Sequence, residues 1–183
     1  AHAVIADSVG TGGDIYIDVG TTSSAGNNAS AVLGFSNHAG TAGAVTIFSD
    51  DATTTGTTSD AVVGSAALGN VSVTSGSAVT SGAGSRAVIG FSGGGNVTVN
   101  SGYANTSGST ITATGRRAIG VIGSAAGNAS VRNGNVLINS EEVEYSGDGA
   151  IAIYAAAFDG DIVINTGSIV GNADTFYADP MAG

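Results

Sequence analysis

One short pattern recurs along the chain: a glycine, usually followed by Asn or Asp, then a β-branched residue at every second position. It is written as Gly13-Asp14-Ile15-Tyr16-Ile17, Gly43-Ala44-Val45-Thr46-Ile47, Gly69-Asn70-Val71-Ser72-Val73, Gly95-Asn96-Val97-Thr98-Val99, Gly134-Asn135-Val136-Leu137-Ile138 and Gly160-Asp161-Ile162-Val163-Ile164. A period of two predicts a strand with one buried face. Aligned, the copies give two columns made only of Val and Ile. One is Ile15, Val45, Val71, Val97, Val136 and Ile162; the other is Ile17, Ile47, Val73, Val99, Ile138 and Ile164. The residues between them, from Tyr16 and Thr46 to Leu137 and Val163, are mixed, as on a face turned to water. The Gly-Asn or Gly-Asp openings predict turns, in which these residues tolerate positive φ or bond their own backbone.

The steps from Gly43 to Gly69, from Gly69 to Gly95 and from Gly134 to Gly160 are equal. They set a unit of about 26 residues, within the span of known structural repeats. The steps from Gly13 to Gly43 and from Gly95 to Gly134 are longer and carry insertions. The insertions are expected within Ser36 to Ala42, around Tyr103 to Ser109, and at Gly127 to Asn133; the polar run from Ser49 to Asp60 reads as a loop. A second apolar run precedes each glycine: Ala31-Val32-Leu33-Gly34-Phe35, Ala61-Val62-Val63-Gly64, Ala87-Val88-Ile89-Gly90-Phe91, Ala118-Ile119-Gly120-Val121 and Ala150-Ile151-Ala152-Ile153-Tyr154, with Ala3-Val4-Ile5-Ala6 at the start. Both alternating sets in these runs are apolar, so periodicity leaves open which set points inward. Weaker segments such as Ser77-Ala78-Val79-Thr80 and Val143-Glu144-Tyr145 predict a third short strand in each unit.

Three short strands and three turns in about 26 residues describe one coil of a stacked solenoid, whose coils bury their apolar edges only against neighbours. The fold class expected is all-β, a right-handed parallel β-helix (β-solenoid) of about six coils of roughly 26–30 residues, forming one segment over 1–183. At about 4.8 Å per strand, six coils make a rod roughly 29 Å long. Both ends fall partway through a coil without a polar cap. The expectation is therefore a segment of a longer array, or a subunit that stacks on copies of itself.

Composition narrows the function. The chain has 31 Gly, one Pro, no Cys and no Trp, and only 10% of its residues are charged. Its net charge is −10, and its four cations are Arg86, Arg116, Arg117 and Arg132. An acidic chain without a basic patch speaks against nucleic acid and anionic membrane surfaces as partners. No apolar run approaches the roughly 18 residues of a membrane span, so no membrane insertion of this segment is expected. The missing cysteines exclude a disulfide scaffold and thiolate metal sites.

Candidate chemistry is sparse. Glu141, Glu142, Glu144 and Asp148 form an oxygen-rich cluster, the one candidate for calcium (Ca2+), although acids in a short strand ordinarily face water. No cofactor is expected. Polysaccharide cleavage on a β-helix needs clustered Asp beside His and a basic residue. Here Asp50 and Asp51 are sequence neighbours, which point to opposite faces of a strand, and His38 is isolated. No catalytic residue is assigned, and the chain is expected not to be an enzyme. Tyr103 and Asn105, with Arg116 and Arg117 nearby, form the candidate carbohydrate-binding set. Phe35 and Phe91, with Tyr154 and Tyr177, form the candidate stripe for lateral association.

The strands Gly95 to Gly102 and Gly160 to Gly167, and the run Arg86 to Asn96, resemble in repeat style the passenger regions of Gram-negative autotransporters and related haemagglutinin-like adhesins. The resemblance covers nearly the whole chain and implies a right-handed β-helix. It also implies secretion to the cell surface, attached to the outer membrane or released, and adhesion or fibre formation. Partners expected on that basis are other copies of the chain, end to end or lateral, and cell-surface glycans or proteins. A carbohydrate-binding module is the alternative, and a polysaccharide-cleaving enzyme a more distant one.

Overall fold

The computed structural model describes residues 1–10, 13–36, 43–107, 119–125, 134–147, 150–157 and 160–172. These residues form twelve strands and no helix: β1 (Val4–Ser8), β2 (Ile15–Ser24), β3 (Val32–Ser36), β4 (Val45–Thr54), β5 (Val62–Ala66), β6 (Val71–Thr80), β7 (Arg86–Ser92), β8 (Val97–Thr106), β9 (Ile119–Ala125), β10 (Val136–Ser146), β11 (Ile151–Ala157) and β12 (Ile162–Asn172). The odd strands form one parallel sheet in chain order, and the even strands form the other. Each odd strand and the even strand after it make one coil of a β-solenoid. His38, Arg116, Arg117, Arg132, Asp148, Tyr177 and the stretch Gly127 to Asn133 lie outside the described residues.

The two Val/Ile columns pair across coils in the register read from the sequence: Val45 with Val71, Val71 with Val97, and Val97 with Val136. Val45, Ile47, Val73 and Val99 are wholly buried, each contributing roughly 1.5–3 kcal/mol of apolar transfer. The open question of the second motif is decided by its glycine. Val32, Val62, Val88 and Val121 point inward with Gly34, Gly64, Gly90 and Gly123 one step on. The glycines are needed because the sheets approach closely there. A Cβ on Gly90 would lie 2.7 Å from Val97 Cγ1 and 2.9 Å from Val99 Cγ2.

The expected third strand is not separate. Ser77–Thr80 and Val143–Tyr145 are the second halves of β6 and β10, which continue across a bend. In β4 the alternation slips at Asp50 and Asp51, both exposed, and resumes with Ala52 and Thr54 buried. The run from Ser49 to Thr54 is thus strand rather than loop, because pairing with Ser75 to Thr80 overrides its weak local preference. Tyr103 to Thr106 likewise pair with Ser77 to Thr80 inside β8, so the insertion begins after them.

The turn chemistry also departs from expectation. Among the described residues, the only glycines at positive φ are Gly10, Gly84 and Gly147, none of which opens a repeat. Gly95 is small for another reason: a Cβ there would sit 2.4 Å from the carbonyl oxygen of Gly69 in the coil below. The Asx residues do not close their own turns either. Asn70 Oδ1 accepts from the N–H of Asn96 at 2.9 Å, Asn96 Oδ1 from Asn135 at 2.9 Å, and Asn135 Oδ1 from Asp161 at 2.8 Å. Each side chain ties its coil to the next. A second ladder joins Asn100, Asn139 and Asn165 through side-chain amides at 2.8 and 2.9 Å.

Candidate interaction surfaces

The outer face of the odd-strand sheet carries a continuous apolar strip. Leu33, Val63, Ile89 and Ile122 alternate with the inward valines and form their own apolar strip, separate from the main core. Only 5–7% of each is exposed, although each points away from the interior. Two residues on, the strip is flanked by a column in which size alternates: Asp7, Phe35, Ser65, Phe91 and Ser124 are register partners in that order. Phe91 is 40% exposed and Phe35 half-buried. The strip ends at Ile5 on one side and Tyr154 on the other, 56% and 41% exposed. Phe35 and Phe91 therefore share a column, as the stripe reading expects, but Tyr154 belongs to the neighbouring one.

The opposite flank of the strip is polar and comes from the turn before each odd strand. Arg86 grips Asp60 of the preceding coil through Nε to Oδ1 at 3.1 Å and Nη2 to Oδ2 at 2.6 Å, and its backbone N–H donates to the same carboxylate at 3.0 Å. The Asp60 side chain is 7% exposed and that of Arg86 29%. Two coils earlier, the Ser30 N–H donates to His2 Nδ1 at 2.9 Å. Asn28 and Thr58 project from the same turn at φ of 53° and 54°. This is a conformation β-branched residues rarely adopt, and the Thr58 hydroxyl donates to Asn28 Oδ1. Strip, aromatic column and polar rim together enclose a groove of about 520 Å³. Sequence reasoning flagged the two Phe residues but missed Asp60 and Arg86. These two stand one repeat apart in the chain, and that spacing was the available signal.

The candidate carbohydrate set is partly assembled, and by strands rather than a loop. Tyr103 and Asn105 lie two apart on the outer face of β8, beside Glu144 of β10. The Tyr103 hydroxyl donates to Glu144 Oε2 at 2.6 Å, while Asn105 Nδ2 donates to the same oxygen at 2.7 Å and to the Tyr103 oxygen at 3.0 Å. The hydrogen bond to the Glu144 carboxylate, ahead of burial, raises the Tyr103 phenol above its ordinary range.

Of the calcium candidates, Glu142 and Glu144 share an outer face while Glu141 sits at the bend. Among the described residues no three acidic or histidine side chains come together. Inside the bend, Ser49, Ser75, Ser101 and Ser140 stack as a buried column whose hydroxyls find no partner. A search for likeness finds no family model, curated protein or solved structure that matches this chain.

Proposed function

We propose that the chain is a non-enzymatic structural or adhesive segment of a secreted cell-surface fibre. It is a stiff rod that presents repeated side-chain columns to partners. The observation that carries this reading is the unbroken register of the two six-stranded sheets. Inward positions are held to Val, Ile, Ala, Ser, Thr and Gly, while outward ones vary from Tyr and Phe to Asp and Asn. That division makes a scaffold that displays surfaces, and repetition along it turns weak contacts into avidity. Display of the segment on otherwise non-adherent cells tests it. Clumping or surface attachment that depends on the folded rod supports the reading. Cells carrying a folded rod that settle like bare cells overturn it.

A second reading, carbohydrate recognition, is favoured by the Tyr103–Asn105–Glu144 cluster, which sets a phenol ring beside hydrogen-bonding groups. Saccharide binding abolished by Tyr103→Ala, in a chain that keeps its stability, selects this reading. Binding that survives the change removes it.

A further inference from the structure

The groove on the odd-strand sheet has a symmetry that the coil-by-coil description hides. Three outward columns run along it: rim, strip and aromatic column. The rim reads His2, Ser30, Asp60, Arg86 from coil one to coil four. The strip reads Ile5, Leu33, Val63, Ile89, Ile122, Tyr154 over six coils, and the aromatic column reads Asp7, Phe35, Ser65, Phe91, Ser124, Ala156.

Consider a two-fold axis lying in the face, parallel to the strands and midway between β5 and β7. It turns a second copy over so that coil three meets coil four and coil two meets coil five. Every Phe then faces a Ser: Phe91 over Ser65 of the other copy, and Phe35 over Ser124. Both rings fill the gaps left by small residues in a column of alternating size. The two exposed ends of the strip, Ile5 and Tyr154, face each other. On the rim, Asp60 of one copy lies beside Arg86 of the other, twice, so the two ion pairs meet with opposite sense. Steric and charge complementarity follow from a single operation.

We infer that a second copy of this chain is the occupant of the groove, docked antiparallel and face to face about that axis. The inference rests on the rod reading and names the partner of one face. Such a contact is isologous and closes on itself, with the sheets packing face to face at about 10 Å. The alternative two-fold, parallel to the rod, keeps like coils together. It sets Phe columns against strip residues and parts the charged rims, so it loses all three matches. The face is small, roughly 29 Å by 17 Å, against about 800 Å² per partner in a stable complex. One pair of copies therefore associates weakly, at high micromolar concentration.

The test exploits the absence of cysteine from the chain. Ser65→Cys places a thiol within one coil of its symmetry mate, and a short bifunctional thiol reagent is expected to link such copies into dimers. Asp7→Cys places its thiol five coils from its mate, about 24 Å along the rod, and is expected not to link. Equal linking at both positions indicates the parallel arrangement and overturns the inference. Sedimentation should show concentration-dependent dimers, with dissociation raised at least tenfold by Phe91→Ser and by Ser65→Phe, each confirmed folded by its melting curve. Unchanged association in both variants overturns the inference as well. The display experiment separates the two readings: cells that clump or attach while the purified segment stays monomeric refute the dimer alone, and cells that carry the folded segment yet settle like bare cells refute the rod.

Discussion

At the scale of single residues, small size and short polar side chains govern this protein more than bulk does. Gly90 faces Val97 and Val99 at distances no Cβ tolerates, whereas a Cβ on Gly34 would stand 3.1 Å or more from its neighbours. Gly90→Ala is therefore expected to cost about 1–3 kcal/mol by overpacking, and Gly34→Ala distinctly less, as read from denaturant midpoints. The Asx column makes the opposite kind of prediction. Asp14 accepts from the N–H of Ala44 at 2.8 Å, but Ala44 has no side-chain acceptor to offer Asn70 in the next coil. Ala44→Asn should extend the ladder and raise stability by about 0.5–1.5 kcal/mol, while Asn96→Ala should lower it by a similar amount. Equal stability of Ala44→Asn and the parent chain would sink the ladder as a source of cohesion.

Elements show where the sequence was readable and where it was not. The even strands were legible because Val and Ile alternate with polar residues, and a recurring step places them in one register. The second motif was legible as strand but not as orientation, since Val32 and Leu33 are equally apolar. Only the crowding at Gly34 and Gly64 distinguishes the inner set, and crowding is a property of two sheets together. The Phe/Ser alternation stayed hidden because Phe35, Ser65, Phe91 and Ser124 are unevenly spaced along the chain. The bent half of β4 reads as loop because Ser, Asp and Thr carry no apolar alternation there and Asp is depleted in strands, whereas that of β6, with Ala78 and Val79, reads as a separate short strand.

Two predictions belong to these elements. The buried hydroxyl column gains nothing from its polarity, so Ser101→Ala should stabilise the rod by up to about 1 kcal/mol; a loss of that size would mean the hydroxyl is bonded. The Tyr103–Glu144 bond crosses β8 to β10. It raises the phenol's folded pKa, so its contribution is full below the ordinary tyrosine value of about 10 and fades as pH climbs through the raised one. Glu144→Gln should bring Tyr103 ionisation to lower pH, seen in ultraviolet difference titration against Tyr103→Phe.

For the whole molecule, stability is a sum of neighbouring coil contacts rather than a property of one globular core. Central strands such as β6 and β8 have partners on both sides. The described edge at β12 leaves Ile162 and Ile164 46% and 45% exposed, although both continue core columns. Hydrogen exchange should therefore grade along the rod, with β6 amides slowest and β12 fastest. Uniform protection from β2 to β12 would contradict nearest-neighbour stacking.

The Asx ladder has a direction, and direction bears on how such a rod comes into being. A completed coil with Asn or Asp at this position leaves a carboxamide or carboxylate oxygen aimed at the amide of the coil not yet laid down: from Asp14 to Ala44, from Asn70 to Asn96, from Asn96 to Asn135 and from Asn135 to Asp161. A chain delivered from its N-terminal end thus finds its docking points already set, as a growing crystal step offers sites to the next row. The repeat is a template that copies itself forward, and misregister is checked one coil at a time.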